Sequence, residues 1–482
     1  NIYLLDAGGA KVDASDVYDG AKRVTLKPSA GLNAYASYRL IVDSGLKSAA
    51  GEAILTGKVI RIRTGLDTSD KFPQISDEEL LTKVQRQTFR YFWEGAEPTS
   101  GMARERTSSG ATVTTGGTGF GVMAMTVAAE RGFVTRSEAC QRVQRIVTFL
   151  AERATSYHGA FSHWIDGQTG QTLPFSADDN GADLVETGLL FQGLLTARAY
   201  FDGADAAESK LRADITALWE AVEWDFFTKE GTEKVLYWHW SPDKGWAMNM
   251  PIQGWNEALI VYVLAASSPT HPIGREVYAE GWARGGAMRN GKLFYDTVLP
   301  LGEDYGGPLF WAQYSFLGLN PRGLSDAYAD YWEQVCNHTR INYAYCVDNP
   351  KGYAGYGADC WGLTASDIPD GYTASSPTND RGVIAPTAAL SSMPYTPDES
   401  MAALRFFYYK LGDKLWSDYG FIDAFDLTTG WFDRGMHIAI DQGPIVVMIE
   451  NYRTGLPWNL FMSDKDVQRG LAELGFTVEA GS

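Results

Sequence analysis

The sequence predicts a mainly α-helical protein, an (α/α)6 barrel preceded by a small β domain. Short alternating segments of high β-propensity occur only in about the first 66 residues, and helical patterns fill the chain from residue 77 onwards. These helical patterns alternate between nearly all-apolar and amphipathic segments, which is typical of an inner ring of buried helices inside a half-exposed outer ring. A helical solenoid is the competing architecture, but the loops are too long and irregular for it.

The chain has 482 residues, of which 45% are hydrophobic, so we expect one large domain and a smaller one. The predicted division is a β domain over residues 1–66, a polar linker over 67–76 and a helical domain over 77–482.

Three segments carry the β prediction: 24–28, 38–42 and 59–63. The stretches LKP (26–28), YRLIV (38–42) and AAGEA (49–53) resemble the bacterial Ig-like modules attached to secreted enzymes. The resemblance implies a partial Ig-like β-sandwich that serves as a spacer or packing domain.

The helical domain opens at Ser76, a candidate N-cap with Glu79 three residues later. The candidate helices are 77–93, 119–131, 136–153, 182–201, 206–223, 255–266, 274–283, 307–318, 325–340, 386–393, 398–411, 442–452 and 464–474. Long loops rich in Gly, Trp, Tyr and Asp join them and are expected to gather at one end, where an active site can form.

The net charge of −18 argues against nucleic acid or an anionic membrane as partner and favours a neutral substrate. No apolar run reaches the roughly 18 residues of a membrane span. Because the chain starts at Asn1, we expect that any signal peptide has been removed or omitted. We also expect a monomer that is located in the periplasm, on the outer surface or outside a bacterium.

Aromatic residues make up 13% of the chain, with 15 Trp and 25 Tyr, which favours a carbohydrate cleft even though core packing accounts for most of them. The chain has no C-x-x-C motif and only six His, so no metal and no cofactor are expected. Cys336 and Cys346 form a disulfide or remain free thiols; the sequence supports both equally.

The first candidate acids are Asp179, Asp183 and Glu186. Clustered, buried acids have raised pKa values suited to general acid catalysis. A plain helix cap explains Asp179 or Asp183 equally simply.

A second candidate, Glu257, precedes the apolar segment 258–266 and follows Trp255. Trp238, His239 and Trp246 lie upstream and suit the faces of sugar rings. The alternative is an acid that complements the helix dipole.

The third candidate, Asp441, stands before Gly443 and Pro444 at the start of an apolar helix. It is either an N-cap or the base that activates water. The Gly-rich segment 115–121 lacks the context of a phosphate-binding loop, so nucleotide binding is excluded.

Seven stretches, in order, resemble the bacterial β-1,2-glucanases of glycoside hydrolase family 144: TGFG (118–121), DLVET (183–187), WNEAL (255–259), PLFW (308–311), WGLTASD (361–367), PTAAL (386–390) and AIDQGP (439–444). The resemblance covers residues 77 to 475. It implies an (α/α)6 barrel that hydrolyses β-1,2-glucan with inversion, either internally or by releasing sophorose. A transferase on the same scaffold and a non-catalytic glycan-binding protein are the alternatives.

The resemblance also implies roles for individual residues. Glu257 falls at the position of the catalytic acid and Asp441 at that of the base. The predicted substrate-binding residues are Asp179, Asp183, Glu186, Trp238, His239, Trp246, Trp255, Trp311, Trp361, Asp367 and Trp431.

Overall fold

A computed structural model describes residues 1–479 of the chain. Within this range lie thirteen α-helices: α1 (Asp77–Trp93), α2 (Thr115–Glu130), α3 (Arg136–Glu152), α4 (Leu184–Tyr200), α5 (Ala206–Glu220), α6 (Leu259–Ser267), α7 (Tyr331–Asp348), α8 (Pro386–Leu390), α9 (Pro397–Arg405), α10 (Gly412–Leu415), α11 (Ala439–Arg453), α12 (Leu456–Met462) and α13 (Lys465–Leu474).

Twenty-two strands accompany the helices, most of them short pairs in the loops. They are β1 (Ile2–Leu5), β2 (Ala14–Tyr18), β3 (Val24–Pro28), β4 (Ser37–Val42), β5 (Lys58–Arg63), β6 (Thr112–Thr114), β7 (Ser156–Tyr157), β8 (Ala160–Phe161), β9 (Trp164–Asp166), β10 (Thr172–Leu173), β11 (Ala182–Asp183), β12 (His239–Trp240), β13 (Arg289–Phe294), β14 (Thr297–Leu301), β15 (Leu324–Ser325), β16 (Ala365–Ile368), β17 (Gly371–Ala374), β18 (Trp416–Ser417), β19 (Gly420–Phe421), β20 (Phe425–Asp426), β21 (Trp431–Phe432) and β22 (Thr477–Val478).

The five N-terminal strands form two small antiparallel sheets, β1–β4–β5 and β2–β3. The three predicted strands are confirmed as β3, β4 and β5. Leu4 and Tyr38 are the buried apolar residues of this part. It docks onto the helical part, because the Arg63 guanidinium donates to the carbonyl of Leu427 (3.2 Å) and Tyr35 packs edge-on against Phe432.

The predicted alternation of helices is present. Helices α2, α4, α6 and α11 are buried on nearly every side, whereas α1, α3, α5 and α13 each expose a polar face. The Ser76–Glu79 capping box predicted for α1 is also present. None of the helices within residues 1–479 is long and apolar enough to cross a bilayer.

Glycines let α2 and α4 approach each other closely. A Cβ at Gly193 would lie 2.0 Å from the Gly119 carbonyl oxygen, and a Cβ at Gly119 would lie 2.3 Å from the Leu189 carbonyl oxygen. Both contacts are with backbone, which has no rotamer by which to move aside.

Gly193→Ala is therefore expected to lower the free energy of unfolding by about 1–3 kcal/mol, because the two helices must separate. Chemical denaturation measures the change. Gly65→Ala is the matched control, since a Cβ there meets nothing within 4 Å; equal stability of the two variants would contradict the close approach.

Several predicted boundaries are wrong. The predicted helix 274–283 is present as a π-helix over Val277–Trp282. The predicted helix 307–318 consists of two short 3-10 helices. Helix α7 begins six residues later than predicted, because Asp330 caps it. Helix α6 begins only at Leu259. Helix α11 begins at Ala439, so Asp441 lies inside its first turn and is not the N-cap.

All four cysteines are buried free thiols. Cys336 and Cys346 both lie on α7, where ten residues correspond to a rise of about 15 Å. That separation exceeds the reach of a disulfide, which resolves the two alternatives in favour of free thiols.

Candidate active site

A cavity of about 400 Å³ lies where the N-terminal ends of α2, α4 and α11 meet the turn before α6. Glu186 and Glu257 line one part of it, and Ile438 and Ile440 of α11 line another. The β16–β17 hairpin covers it with Tyr372. The loop-rich end predicted for the active site is therefore where the acidic residues gather.

A cluster at the start of α4, here called the α4 wall, consists of Asp179, Asp183, Glu186, His163 and His239. Of these, His163 and Glu186 line the cavity. Asp183 is the N-cap of α4, and its Oδ1 accepts the Glu186 backbone N–H at 2.8 Å. Strand β11 pairs Asp183 with His239 of β12. The predicted cap and the predicted acid cluster are thus both present in the same residues.

Two histidines contact these acids. His163 Nδ1 lies 3.4 Å from Asp183 Oδ2, and His239 Nε2 lies 3.5 Å from Asp179 Oδ2. Burial acts to lower the pKa of His163, but Glu186 and Asp183 together raise it to about 9. His163 is therefore a cation at neutral pH.

The acids of the α4 wall differ in protonation. Burial would raise the pKa of Asp183, but the hydrogen bond from His163 and the charges of both histidines hold it below its usual value. Burial and the neighbouring Asp183 raise the pKa of Glu186, while the Gly116 backbone N–H donates to Glu186 Oε2 at 2.6 Å.

Glu257 faces the same cavity from the turn before α6. Burial is the main cause that raises its pKa to about 7, and Asp183 and Glu186 raise it further. Its backbone carbonyl accepts the Ser315 hydroxyl, which fixes the turn. Glu257 is thus a carboxylic acid that keeps its proton close to neutral pH, as a general acid requires.

The raised pKa also predicts a stability effect. A carboxyl whose folded pKa is raised stabilises the fold fully below its unfolded pKa of 4.5, and this contribution is lost as the pH rises through about 7. Glu257→Gln is therefore expected to be more stable than the wild type by about 3 kcal/mol at pH 8, with no difference at pH 4. Urea denaturation at both values measures this, and a constant difference would contradict it.

Asp441, in the first turn of α11, is joined to the cavity through Tyr314, which lines it. Its Oδ1 accepts the hydroxyl of Tyr314 at 3.3 Å, and Tyr314 also lies in the field of Glu257. Burial raises the pKa of Asp441 to about 7, although hydrogen bonds from Asp423 and Tyr314 act to lower it. Tyr314 therefore contacts Asp441 and lines the same cavity as Glu257.

Further acidic residues lie close to Asp441. Asp367 at the start of the β16–β17 hairpin binds the Arg106 guanidinium through both oxygens, at 2.8 and 3.0 Å. Arg106 also pairs with Glu105 at 2.9 Å. Burial and the neighbouring Asp367 and Asp423 raise the pKa of Asp433 to about 7.

A second cavity of about 490 Å³ adjoins the first, because Arg106 and Tyr372 line both. Asp367, Trp431 and Asp433 complete it. The two cavities are therefore neighbouring parts of one cleft, with Tyr372 at the division.

Two groups of side chains bring possible metal ligands within 4.8 Å of one another: His163 with Asp179 and Asp183, and Asp367 with Asp423 and Asp433. Protein side chains already contact both groups, His163 and His239 in the first and Arg106 in the second. The arrangement is therefore explained without a metal ion.

Comparison with known proteins identifies the family. The family model Glycoamylase matches residues 249–465. The endo-β-1,2-glucanase of Chitinophaga pinensis, solved with sophorotriose and glucose, is 51% identical with a TM-score of 0.82, over 84% of this chain and 99% of that one. The chain belongs to the family of these β-1,2-glucan hydrolases, glycoside hydrolase family 144.

Two further relatives come from Parabacteroides distasonis. A curated exo β-1,2-glucooligosaccharide sophorohydrolase acting at the non-reducing end is 48% identical over 83% of this chain; this chain spans 58% of its length. The crystal structure of a β-1,2-glucanase is 41% identical with a TM-score of 0.81, over 98% of this chain and 69% of that one. The family recognised from the motifs is thereby confirmed.

The predicted aromatic residues of this family member are only partly in the cleft. Trp431 lines the second cavity. Trp238 stacks on His239, and Trp246 packs against Phe226; neither lines a cavity described here, nor does Trp311.

Trp255 and Trp361 are corrections. Trp361 is fully buried, and its indole N–H donates to the Glu399 carbonyl. Trp255 is 4% exposed and stacks on Phe316 and Tyr331. Both are core residues, so neither presents a face to a sugar.

Several residues of the cleft were not predicted from the sequence. Glu105, Arg106 and Asp423 stand outside the family-like motifs, and Tyr314 follows one of them. The aromatic lining that was not predicted is Trp164, Phe175, Phe310 and Tyr372. One signal was available: Asp423 is a single acid within the otherwise apolar stretch 421–425.

Proposed function

We propose that the protein is an inverting glycoside hydrolase that cleaves β-1,2-glucan or its oligosaccharides, with Glu257 as the acid and Asp441 as the base. One observation carries the proposal. Glu257 and Tyr314 line one cavity, the Tyr314 hydroxyl donates to Asp441 Oδ1 at 3.3 Å, and burial raises the pKa of both carboxyls to about 7. Two carboxyls with room for a water between them are the requirement of inversion.

The proposed step balances in protons. Asp441 takes one proton from a water, whose oxygen attacks the anomeric carbon on the face opposite the leaving group. The bond between that carbon and the glycosidic oxygen breaks, and the oxygen takes the proton of Glu257, directly or through a substrate hydroxyl. Each cycle ends with a neutral Asp441 and an ionised Glu257, which exchange with solvent before the next turnover.

The α4 wall supports the role of Glu257. Its carboxylates raise the pKa of Glu257 electrostatically, and the cationic His163 keeps their combined charge from becoming prohibitive. Asp179, Asp183 and Glu186 also offer oxygens that accept hydrogen bonds from sugar hydroxyls. The aromatic surfaces of Trp164, Phe175 and Tyr372 suit the apolar faces of glucose units.

We also propose the architecture in full: an (α/α)6 barrel that follows a partial Ig-like module. The pairs of buried and half-exposed helices support the barrel. The Parabacteroides distasonis glucanase matches 98% of this chain, so its likeness extends into the N-terminal strands. Because similar modules accompany secreted enzymes, we propose that this protein too is exported and acts as a monomer.

Two measurements on linear β-1,2-glucan test the function. Proton NMR during the first minutes should show the α-anomer as the initial product, because inversion of a β-linkage gives it. Reducing ends should rise steadily. A β-anomer first would contradict inversion, and chain lengths that redistribute without new reducing ends would identify a transferase. Binding without turnover would identify a glycan-binding protein.

Chromatography of the same early samples assigns the mode of action. Sophorose as the uniform first product means release from chain ends, whereas a spread of oligosaccharides means internal cleavage. Sophorose release is expected if the β16–β17 hairpin closes the cleft beyond Tyr372, and shortening that hairpin should then broaden the products.

A further inference from the structure

We infer that Asp423 is a positioning residue for the hydrolytic base: it stays protonated through the cycle and donates a hydrogen bond to the Asp441 carboxylate. This inference rests on the proposed function and adds a residue that stands in none of the family-like motifs. It predicts that the base is one member of a carboxyl pair that shares a single proton.

The contacts of the two carboxyls assign the proton. Asp423 lies between β19 and β20, and its Oδ2 accepts the Asp367 backbone N–H at 2.8 Å. Asp441 Oδ1 accepts the Tyr314 hydroxyl. Within the described residues, each of these buried carboxyls has one oxygen without a partner, Asp423 Oδ1 and Asp441 Oδ2, and a hydrogen bond between the two side chains acts on the pKa of both.

Both carboxyls are buried, at 1% exposure each. Two ionised carboxylates in contact at such a depth repel strongly, whereas one proton between them gives a charge-assisted hydrogen bond. Asp423 already accepts a bond that its neutral form can keep, and Asp441 must be free to ionise. The proton therefore belongs on Asp423.

The surrounding charges favour the same assignment. Three further acids face the pair. Glu105 lies in a loop that lines the first cavity, Asp367 lies in β16, and Asp433 lies in the segment after β21. Arg106 is the cation that contacts this group, and it is already paired with Glu105 and Asp367. The other titratable groups facing Asp441 or its hydrogen-bond donor are Tyr314, Tyr372 and Glu257.

The chemistry of the pair divides the work of the two acids. Asp441 ionises first, since Asp423 donates to its carboxylate and so lowers its pKa. Burial and the charge of Asp441 then hold the pKa of Asp423 well above its usual value. The acidic limb of the pH–rate profile therefore reports Asp441 alone, with a neutral neighbour.

The pH dependence of kcat/KM for Asp423→Asn and Asp423→Ala tests the inference. An Asn side chain reproduces the neutral acid, because its amide oxygen accepts the Asp367 N–H and its amide nitrogen donates to Asp441. We expect Asp423→Asn to lower turnover by less than about tenfold and to leave the midpoint of the acidic limb in place. Asp423→Ala loses the donor and should move that midpoint to higher pH.

Three results would overturn the inference. A midpoint that falls by one unit or more in Asp423→Asn would mean that the wild-type Asp423 is ionised. A loss of turnover as large as that of Asp441→Asn would mean that Asp423 must itself ionise. An unmoved midpoint in Asp423→Ala would mean a structural role only.

A measurement on the wild-type protein does not depend on activity or on the folding of a variant. Carbon-13 NMR of protein labelled at the aspartate carboxyl carbon should show a protonated aspartate at pH 8. Its absence would overturn the inference even if hydrolysis is confirmed. If β-1,2-glucan is not hydrolysed at all, the proposed function fails while the protonated signal can still be observed.

Discussion

Glu257→Gln is expected to lower kcat on β-1,2-glucan by about 10²- to 10⁴-fold, with a much smaller change in KM. Gln has the same shape and can donate a hydrogen bond, but it has no proton to give to the glycosidic oxygen. Initial rates from a reducing-end assay measure the effect.

Glu450→Gln is the matched control for this variant. Glu450 is also buried, but it lies near the C-terminal end of α11, where it pairs with Arg131 at 2.8 Å. We expect Glu450→Gln to be less stable and to keep the wild-type kcat, because the site is about 13 Å along the helix from Asp441. Near wild-type turnover in Glu257→Gln, with its fold intact, would remove Glu257 from the role of acid.

The pH profile distinguishes the acid from the base in the wild type. Glu257 acts while it is protonated, so its limb descends as the pH rises through about 7. Asp441 acts while it is ionised, so its limb descends as the pH falls through about 7. The two limbs meet, and the profile is expected to be a narrow bell centred close to neutrality. Glu257→Gln should flatten the alkaline limb of the residual activity.

The acids that the sequence made visible are those that begin apolar helices. Asp183, Glu257 and Asp441 each interrupt a hydrophobic pattern at a helix start, and such a position is either a cap or a buried functional group. The structure shows that one residue can be both, since Asp183 caps α4 and contacts His163, which lines the cavity. A helix cap and a functional acid are therefore not mutually exclusive interpretations of such a residue.

The site residues that could not be predicted from the sequence lie in loops. Arg106 precedes Asp423 and Asp433 by more than 300 residues of chain, and no shared sequence period would bring the three together. Their association depends on the β16–β17 hairpin and the β19–β21 loops, whose positions follow from tertiary packing. Trp361 shows the opposite error, a residue that was predicted to bind substrate but does not lie in the cleft. It stands in the same family-like motif as Asp367, yet its indole packs in the core.

The fold was more predictable than the site. Apolar patterns located α2, α4, α6 and α11 because burial on all sides leaves little room for polar residues. Their ends were less predictable, since the start of α6 depends on the turn that holds Glu257, and the start of α11 lies four residues before Gly443. A one-turn difference at either end decides which side chains face the cavity.

Asp441→Asn is expected to lower kcat by about 10²- to 10⁴-fold, because the amide cannot take a proton from the attacking water. The carboxyl pair makes a further, stricter prediction. If Asp423 acts only through Asp441, the double variant Asp423→Asn/Asp441→Asn should be no slower than Asp441→Asn, so the two effects will not add. Additive losses would mean that Asp423 contributes to catalysis by a route that does not pass through Asp441.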